Sequence, residues 1–285
     1  MTSNDAIAAH NRAHYDNVTD AWTFILGDNL HYGAFSADTV NLTEATDRLI
    51  WEMANFGGLE PEMHVLDVGC GIGNPAFLLH KKFDCQVTGI TISERGVVIG
   101  NEQAELRGLS EAIRFVQADA LDNGMADETF DLLWQMESSH LIHDKIGLFR
   151  ENFRVLKQGG SLVLCDLFLK RDFSVADIYN LRAELAMLEN SFGKAKMATV
   201  PFYRECLAEV GFESIETLDI SDSVKPTLRA WKENVDSNIE SIETLLEPKA
   251  IDDFLRTCDI LAQFFDQNLL GYGLVRARKS GQVNQ

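Results

Sequence analysis

Asp67-Val68-Gly69-Cys70-Gly71-Ile72-Gly73 is the stretch that decides the fold. Ahead of it His64–Val68 is a short apolar run following Pro61, which predicts a strand. Behind it Asn74-Pro75 predicts the start of a helix, with proline suited to the first turn and Asn74 as the cap. A turn this rich in glycine lets the backbone approach a ligand closely. Open parallel sheets bind their ligands at this carboxyl edge, where the strand order reverses.

Outward from that turn the pattern alternates. Strands are predicted at 86–92, Ile113–Gln117, 130–135 and 161–167, with helices at 94–107 and 145–156 between them. Runs such as Leu162-Val163-Leu164 read as strands buried on both faces, as in a mainly parallel sheet between helices. Gly159 and Gly160 predict a turn that closes the helix before the last of these strands. Upstream, Ser3–Leu26 and 43–56 read as two leading helices joined through a turn at 27–35. Downstream, 170–198 breaks the strand rhythm and reads as one or two helices inserted above the sheet. A helix at 202–210, a strand at 212–220, a helical stretch at 226–268 and a closing strand at 269–278 complete the chain. The expected architecture is α/β: a doubly wound, Rossmann-like, seven-stranded and mostly parallel sheet. An N-terminal helical lid over 1–60 precedes a core at 61–285, with substrate-covering helices at about 170–198 and 226–268.

A formal charge of −19, with no basic stripe to offset it locally, disfavours nucleic acid and anionic membrane surfaces as partners. No stretch is apolar enough to span a bilayer, and the N-terminal residues lack an export signal, so the expected location is cytoplasmic. Five scattered cysteines match neither a disulfide framework nor a zinc site and read as core thiols. The histidines show no metal-ligand spacing, and no metal is assigned. A homo-oligomer is compatible with the sequence.

The glycine turn by itself admits two chemistries. A dinucleotide site wants G-x-G-x-x-G/A, which Gly71, Gly73 and Ala76 satisfy, together with an acid closing the second strand. That strand instead closes as Thr88-Gly89-Ile90-Thr91-Ile92-Ser93. Asp67 to Gly73 also resembles motif I, D-x-G-C-G-x-G, of the class I S-adenosylmethionine-dependent methyltransferases. An acid at that position suits a ligand presenting an ammonium and a sulfonium cation. Gly89 to Ser93 resembles the second-strand G-I-T/S-x-S of the small-molecule subgroup that contains tocopherol, rebeccamycin-sugar and terpenoid or indole natural-product enzymes. Gly96 stands where that subgroup often carries glutamine. The run Gly27-Asp28-Asn29-Leu30-His31-Tyr32-Gly33 is similar to the subgroup's G-D/E-x-x-H-x-G.

The resemblance implies S-adenosyl-L-methionine as cofactor. It implies contacts from Asp67, Gly69, Gly71, Gly73, Thr91, Ser93, Asp119, Ala120 and Gln135, and from Tyr15 as a lid residue. Asp119 can alternatively be a solvated turn aspartate.

Gln135-Met136-Glu137-Ser138-Ser139-His140-Leu141-Ile142-His143-Asp144-Lys145, after the fourth strand, resembles the E-S-x-H stretch of the same subgroup. Methyl transfer is an in-line displacement, so such an enzyme mainly supplies alignment and a dry cavity. A hydroxyl acceptor must also lose a proton, and a histidine suits that task. His140 is the candidate base, Asp166 its orienting or assisting acid, and Glu137 a substrate or carbocation contact. The plainer readings are that His140 packs or caps a turn, Asp166 caps the next segment, and Glu137 binds backbone amides. For a carbon acceptor, Glu137 and aromatic faces would act first and His140 or Asp166 would take a proton afterwards.

The expected function is methyl transfer to oxygen or carbon of a small, largely apolar natural product. The alternatives are a cofactor-binding protein of the same fold that does not methylate and, less in keeping with the second strand, a nicotinamide oxidoreductase. Acceptor specificity is expected from covers at 15–35, 173–197 and 231–265, whose aromatic and methionine content also fits ordinary core.

Overall fold

The computed structural model describes residues 3–39 and 41–281. Its centre is one sheet in the order β3-β2-β1-β4-β5-β7-β6. The strands are β1 His64–Val68, β2 Gln86–Thr91, β3 Ile113–Gln117, β4 Phe130–Met136, β5 Leu156–Leu169, β6 Phe212–Asp219 and β7 Leu270–Lys279. β1 to β5 pair in parallel, whereas β7 runs antiparallel between β5 and β6. Chain order reverses between β1 and β4, so the segments leaving these two strands face one crevice, the usual ligand site of such sheets.

Helices α1 Ser3–Leu26 and α2 Leu42–Gly57 lead the chain. α3 Asn74–Phe83, α4 Glu94–Leu106 and α5 Lys145–Val155 are the crossovers. α6 Val175–Asn180 and α7 Arg182–Phe192 form the insertion above the sheet, and α8 Val200–Val210 precedes β6. The helical stretch after β6 resolves into α9 Ser221–Val224, α10 Pro226–Ile242 and α11 Pro248–Asp266. Both faces of the sheet are covered. Val65, Trp134 and Val163 pack into one core with α2, α10 and α11, while Leu66, Leu133 and Leu164 pack into the other with α5 and α8. The neighbouring residues Leu162, Val163 and Leu164 are all fully buried, which is why this strand reads as a continuous apolar run rather than an alternating one.

Two local expectations are corrected. Asn74 does not cap α3. Gly73, with φ of +82°, takes the cap position without a side-chain bond, and Asn74 Nδ2 donates instead to Asn29 Oδ1 at 2.8 Å. The glycines at 159 and 160 do not form a free turn either. β5 starts at Leu156 against Phe130, and the register then jumps, two residues along β4 matching five along β5, until Leu132 meets Ser161. Residues 157–160 are a bulge tied to β4 by Lys157 Nζ donating to Asp131 Oδ1 at 2.8 Å. The five cysteines are free and buried. No described helix is long and apolar enough to cross a membrane.

Candidate active site

A cavity of about 430 Å³ opens at the crevice where the strand order reverses. Its floor is the turn after β1, and its sides are the segments that leave β2, β3 and β4. α1, α7 with the residues after it, Trp231 of α10 and Leu261 of α11 cover it.

The glycine turn is shaped by its neighbours. A Cβ on Gly69, whose φ is +83°, would lie 2.3 Å from Ser138 Cβ, and Ser138 Oγ donates to Val68 O at 2.6 Å. Only a bare backbone therefore lets the first and fourth strand exits meet. On the other side α4 leans on the same turn: a Cβ on Gly96 would lie 2.4 Å from Gly71 O. The glycine where glutamine is often found is thus required by packing.

Asp67 is 2% exposed, and its Oδ2 has no hydrogen-bond partner among the described residues. Burial raises its pKa to about 7. A buried carboxylate without a counter-charge is costly, so this end of the cavity suits a ligand that brings a cation.

Gly69, Gly71, Gly73, Thr91, Ser93, Asp119, Ala120 and Tyr15 line the same cavity. Several of these are already engaged. Thr91 Oγ1 accepts the Ser93 N–H at 3.2 Å, and Ser93 Oγ caps α4 through Gly96 N–H at 3.0 Å while donating to Asp16 Oδ1 of α1 at 2.6 Å. Asp119 is exposed and accepts Leu121 N–H at 2.9 Å, so the turn reading holds for this residue alongside its place on the wall. Tyr15 O–H donates to Phe192 O at 3.4 Å, bridging α1 to the end of α7.

Gln135 is not brought to the site. It is fully buried on the sheet's other face, where its Oε1 accepts Asn152 Nδ2 of α5 at 3.4 Å. Side chains alternate along a strand, and β4 ends by presenting Met136 to the cavity, not Gln135.

The segment leaving β4 carries the titratable groups. His140, in a short 3₁₀ turn at Ser139–Leu141, lines the cavity, with its Nδ1 2.6 Å from Asp166 Oδ1. Asp166 ends a buried run of β5 and does not line the cavity. It stands behind the imidazole and accepts also from His140 N–H at 3.0 Å, Ser139 Oγ at 2.5 Å and its neighbour Leu167 N–H at 2.8 Å. Burial pushes its pKa up, but the charge of His140 and these donors outweigh burial and hold the carboxyl below the usual range. No described residue bonds His140 Nε2. Ser139 Oγ also lies 2.7 Å from Tyr203 Oη of α8.

Glu137 adopts φ of +47°, an unusual conformation for a residue other than glycine, which turns the chain sharply out of β4. Its Oε1 accepts Tyr32 N–H at 2.8 Å and Tyr272 O–H at 2.5 Å. The backbone-amide reading is therefore realised, on a side chain that still lines the cavity. Burial lifts its pKa to about 8, with Asp166 adding to the rise.

The expected covers contribute unequally. Tyr15, Trp22, Leu185, Phe192, Met197 and Trp231 reach the cavity, whereas Phe173 and Met187 do not and Tyr179 is exposed to solvent. Sequence reading missed Tyr272 and Tyr203. The signal for Tyr272 is its pairing with Leu167 on β5, which exists only once β7 is known to insert beside β5. Among the described residues no group of three or more His, Cys, Asp or Glu is placed to hold a metal ion.

A family model described as a methyltransferase domain matches residues 66–164. The chain is 32% identical over 267 residues to 27-O-demethylrifamycin SV methyltransferase of Amycolatopsis mediterranei, covering 93% of this chain and 95% of that one. It is 27% identical over 303 residues to the chloroplastic tocopherol O-methyltransferase of Arabidopsis thaliana, covering 98% and 84% respectively. Among solved structures, that of the [4+2]-cyclase SpnF is similar with a TM-score of 0.80 and 26% identity, covering 95% of this chain and 96% of that one.

Proposed function

The chain belongs to the S-adenosylmethionine-dependent methyltransferases that act on small molecules, and on that premise we propose that it methylates a hydroxyl of a largely apolar natural product, with His140 taking the hydroxyl proton. S-adenosylmethionine, when bound, supplies an electrophilic methyl group on its sulfonium.

The residues of the glycine turn suit that cofactor. Asp67 Oδ2 has no hydrogen-bond partner among the described residues, and the backbone of Gly69, Gly71 and Gly73 lines the cavity beside it. Thr91, Ser93, Asp119 and Ala120 would line its far end, and Tyr15 would close over it.

The observation that carries the choice of oxygen is the His140–Asp166 pair. With Nδ1–H donated to an ionised Asp166, Nε2 keeps its lone pair and can accept a proton. Asp166 orients the imidazole and stabilises the cation formed on it. Glu137, held by Tyr32 and Tyr272, shapes the floor between donor and acceptor.

In this reading α1 and the residues after it as far as Tyr32 act as the lid, whereas α2, expected within it, packs against the sheet and lines no part of the cavity. Asn11 Nδ2 reaches Lys194 O at 3.2 Å, His14 Nε2 lies 3.1 Å from Ser191 O, and Tyr15 reaches Phe192 O, so α1 is fastened to the end of α7. A fastened lid excludes water, which suits transfer from a reactive cation. The formal charge of −19 disfavours a nucleic acid or anionic membrane partner, in keeping with a small-molecule acceptor.

The test is incubation with methyl-labelled S-adenosylmethionine and a panel of hydroxylated polyketides and prenylated phenols, each beside its O-capped analogue, followed by mass spectrometry. Label on oxygen, lost when the hydroxyl is capped, supports the reading. Label on carbon overturns the choice of oxygen, and cofactor binding without labelled product from any panel member overturns these acceptor classes.

A further inference from the structure

Lys145 is the first residue of α5, yet only 3% exposed. A cation in the first turn of a helix meets the positive end of the helix dipole, and burying an ammonium carries a desolvation cost. Neither favours lysine here, so its partners must account for it. Its Nζ donates to Ser139 O at 2.7 Å, Ile142 O at 2.6 Å and Lys196 O at 3.1 Å, three carbonyls for three N–H bonds. The first two bracket His140. The third belongs to the strap after α7, whose Lys196 N–H in turn donates to His140 O at 2.7 Å. Ala195 and Met197, on either side of Lys196, line the cavity. The groups facing the ammonium are Asp166, Lys196, Cys206 and the Tyr203 ring, whose centroid is 5.8 Å away. Burial lowers the lysine's pKa to about 8 against the pull of Asp166.

We propose that Lys145 is a positioning residue whose ammonium clamps the His140 turn to the 193–197 strap, so that one cation sets both the base and the cavity wall over it. The clamp holds the carbonyls on either side of His140 and the strap that binds its own carbonyl, while Asp166 holds its backbone N–H and its ring. Loss of the clamp frees the turn to shift away from Asp166, and the imidazole then loses its single tautomer. The proposal rests on His140 as the base.

The experiment is nitrogen-15 NMR of histidine-labelled protein saturated with S-adenosylhomocysteine, with the His140 ring signals assigned by their loss in His140→Gln. In the wild type these signals should report one tautomer, protonated at Nδ1 and bare at Nε2. In Lys145→Met they should collapse toward the average of the two tautomers, while the ring signals of His64 and His80 stay in place and S-adenosylhomocysteine affinity changes by less than about threefold. Unchanged His140 signals in folded Lys145→Met would overturn the proposal. Should that variant fail to fold, the wild-type Lys145 ammonium is read directly: three carbonyl partners predict a slowly exchanging signal, and rapid exchange with water overturns the clamp. Neither readout uses turnover, so the clamp can fail while His140 remains the base, and the base assignment can fail while the clamp holds.

Discussion

Asp166 holds His140 at two points, its Oδ1 2.6 Å from the ring Nδ1 and its Oδ2 3.0 Å from the backbone nitrogen, so a single carboxylate sets both the position and the tautomer of the residue. Because Asp166 is sealed from the cavity and His140 lines it, the two have separate duties: one faces the ligand and the other holds it in place.

His140→Ala should therefore lower kcat by about 10²- to 10⁴-fold, the usual contribution of a positioned general base. S-adenosylmethionine affinity by calorimetry should move by less than about threefold, since Asp67 and the glycine turn are untouched. Asp166→Asn should lower kcat while keeping the fold, because the amide can offer an N–H to Nδ1 and so favour the wrong tautomer. A His140→Ala enzyme with the wild-type rate removes His140 from the chemistry.

Much of this was legible in the sequence because the information was local. The strand, glycine turn and helix around Asp67 to Pro75 follow from adjacent residues, and the Glu137–His140 segment follows from its place after an apolar strand. What was not legible depends on contacts distant in the chain. Gln135 lies beside Met136 and Glu137, and its orientation is fixed by strand alternation once the end of β4 is known, a difference of one residue. Asn74 is a good cap by composition, but Asn29, 45 positions earlier, takes its side chain. Tyr272 meets Glu137 only because β7 inserts antiparallel beside β5, which strand periodicity cannot tell.

Cofactor affinity should rise with pH through about 7. Burial alone lifts Asp67 to that value in the free protein, so below it the carboxyl holds a proton that a cationic ligand must displace. Above it the carboxylate is already ionised and affinity levels off. Calorimetry between pH 5.5 and 8.5 should give a rise approaching tenfold per pH unit on the acid side, about 1.4 kcal/mol each. Asp67→Asn should bind weakly at every pH and flatten this dependence. A slope that persists in the variant would assign the proton elsewhere.

Glu137 makes an opposite prediction for stability. Its folded-state pKa, raised by burial to about 8 from 4.5, means that folding takes up a proton between these values. A buried acid raised in this way costs stability as pH climbs from 4.5 to 8, and the full cost is present above 8. Glu137→Gln keeps an oxygen for Tyr32 N–H and Tyr272 O–H but has no proton to lose. The melting temperature of the ligand-free variant should therefore gain on that of the wild type as pH rises from 5 to 8. A gap that stays constant over this range would mean that Glu137 does not titrate there.

Gly96→Ala tests whether α4 sets the shape of the cofactor turn. The added methyl would stand 2.4 Å from Gly71 O and 3.5 Å from Ser93 Oγ, and the first contact is with backbone that cannot rotate aside. Either α4 moves outward, which strains the Ser93 cap and its bond to Asp16, or the turn moves inward over Asp67. Alanine also favours the helix by up to about 1 kcal/mol over glycine, so without the clash the change would stabilise. Expected instead are a lower melting temperature and a loss of S-adenosylmethionine affinity of about tenfold or more, because small displacements matter where backbone meets ligand. A variant that melts higher and binds the cofactor as tightly as the wild type would mean that α4 and the glycine turn separate at little cost.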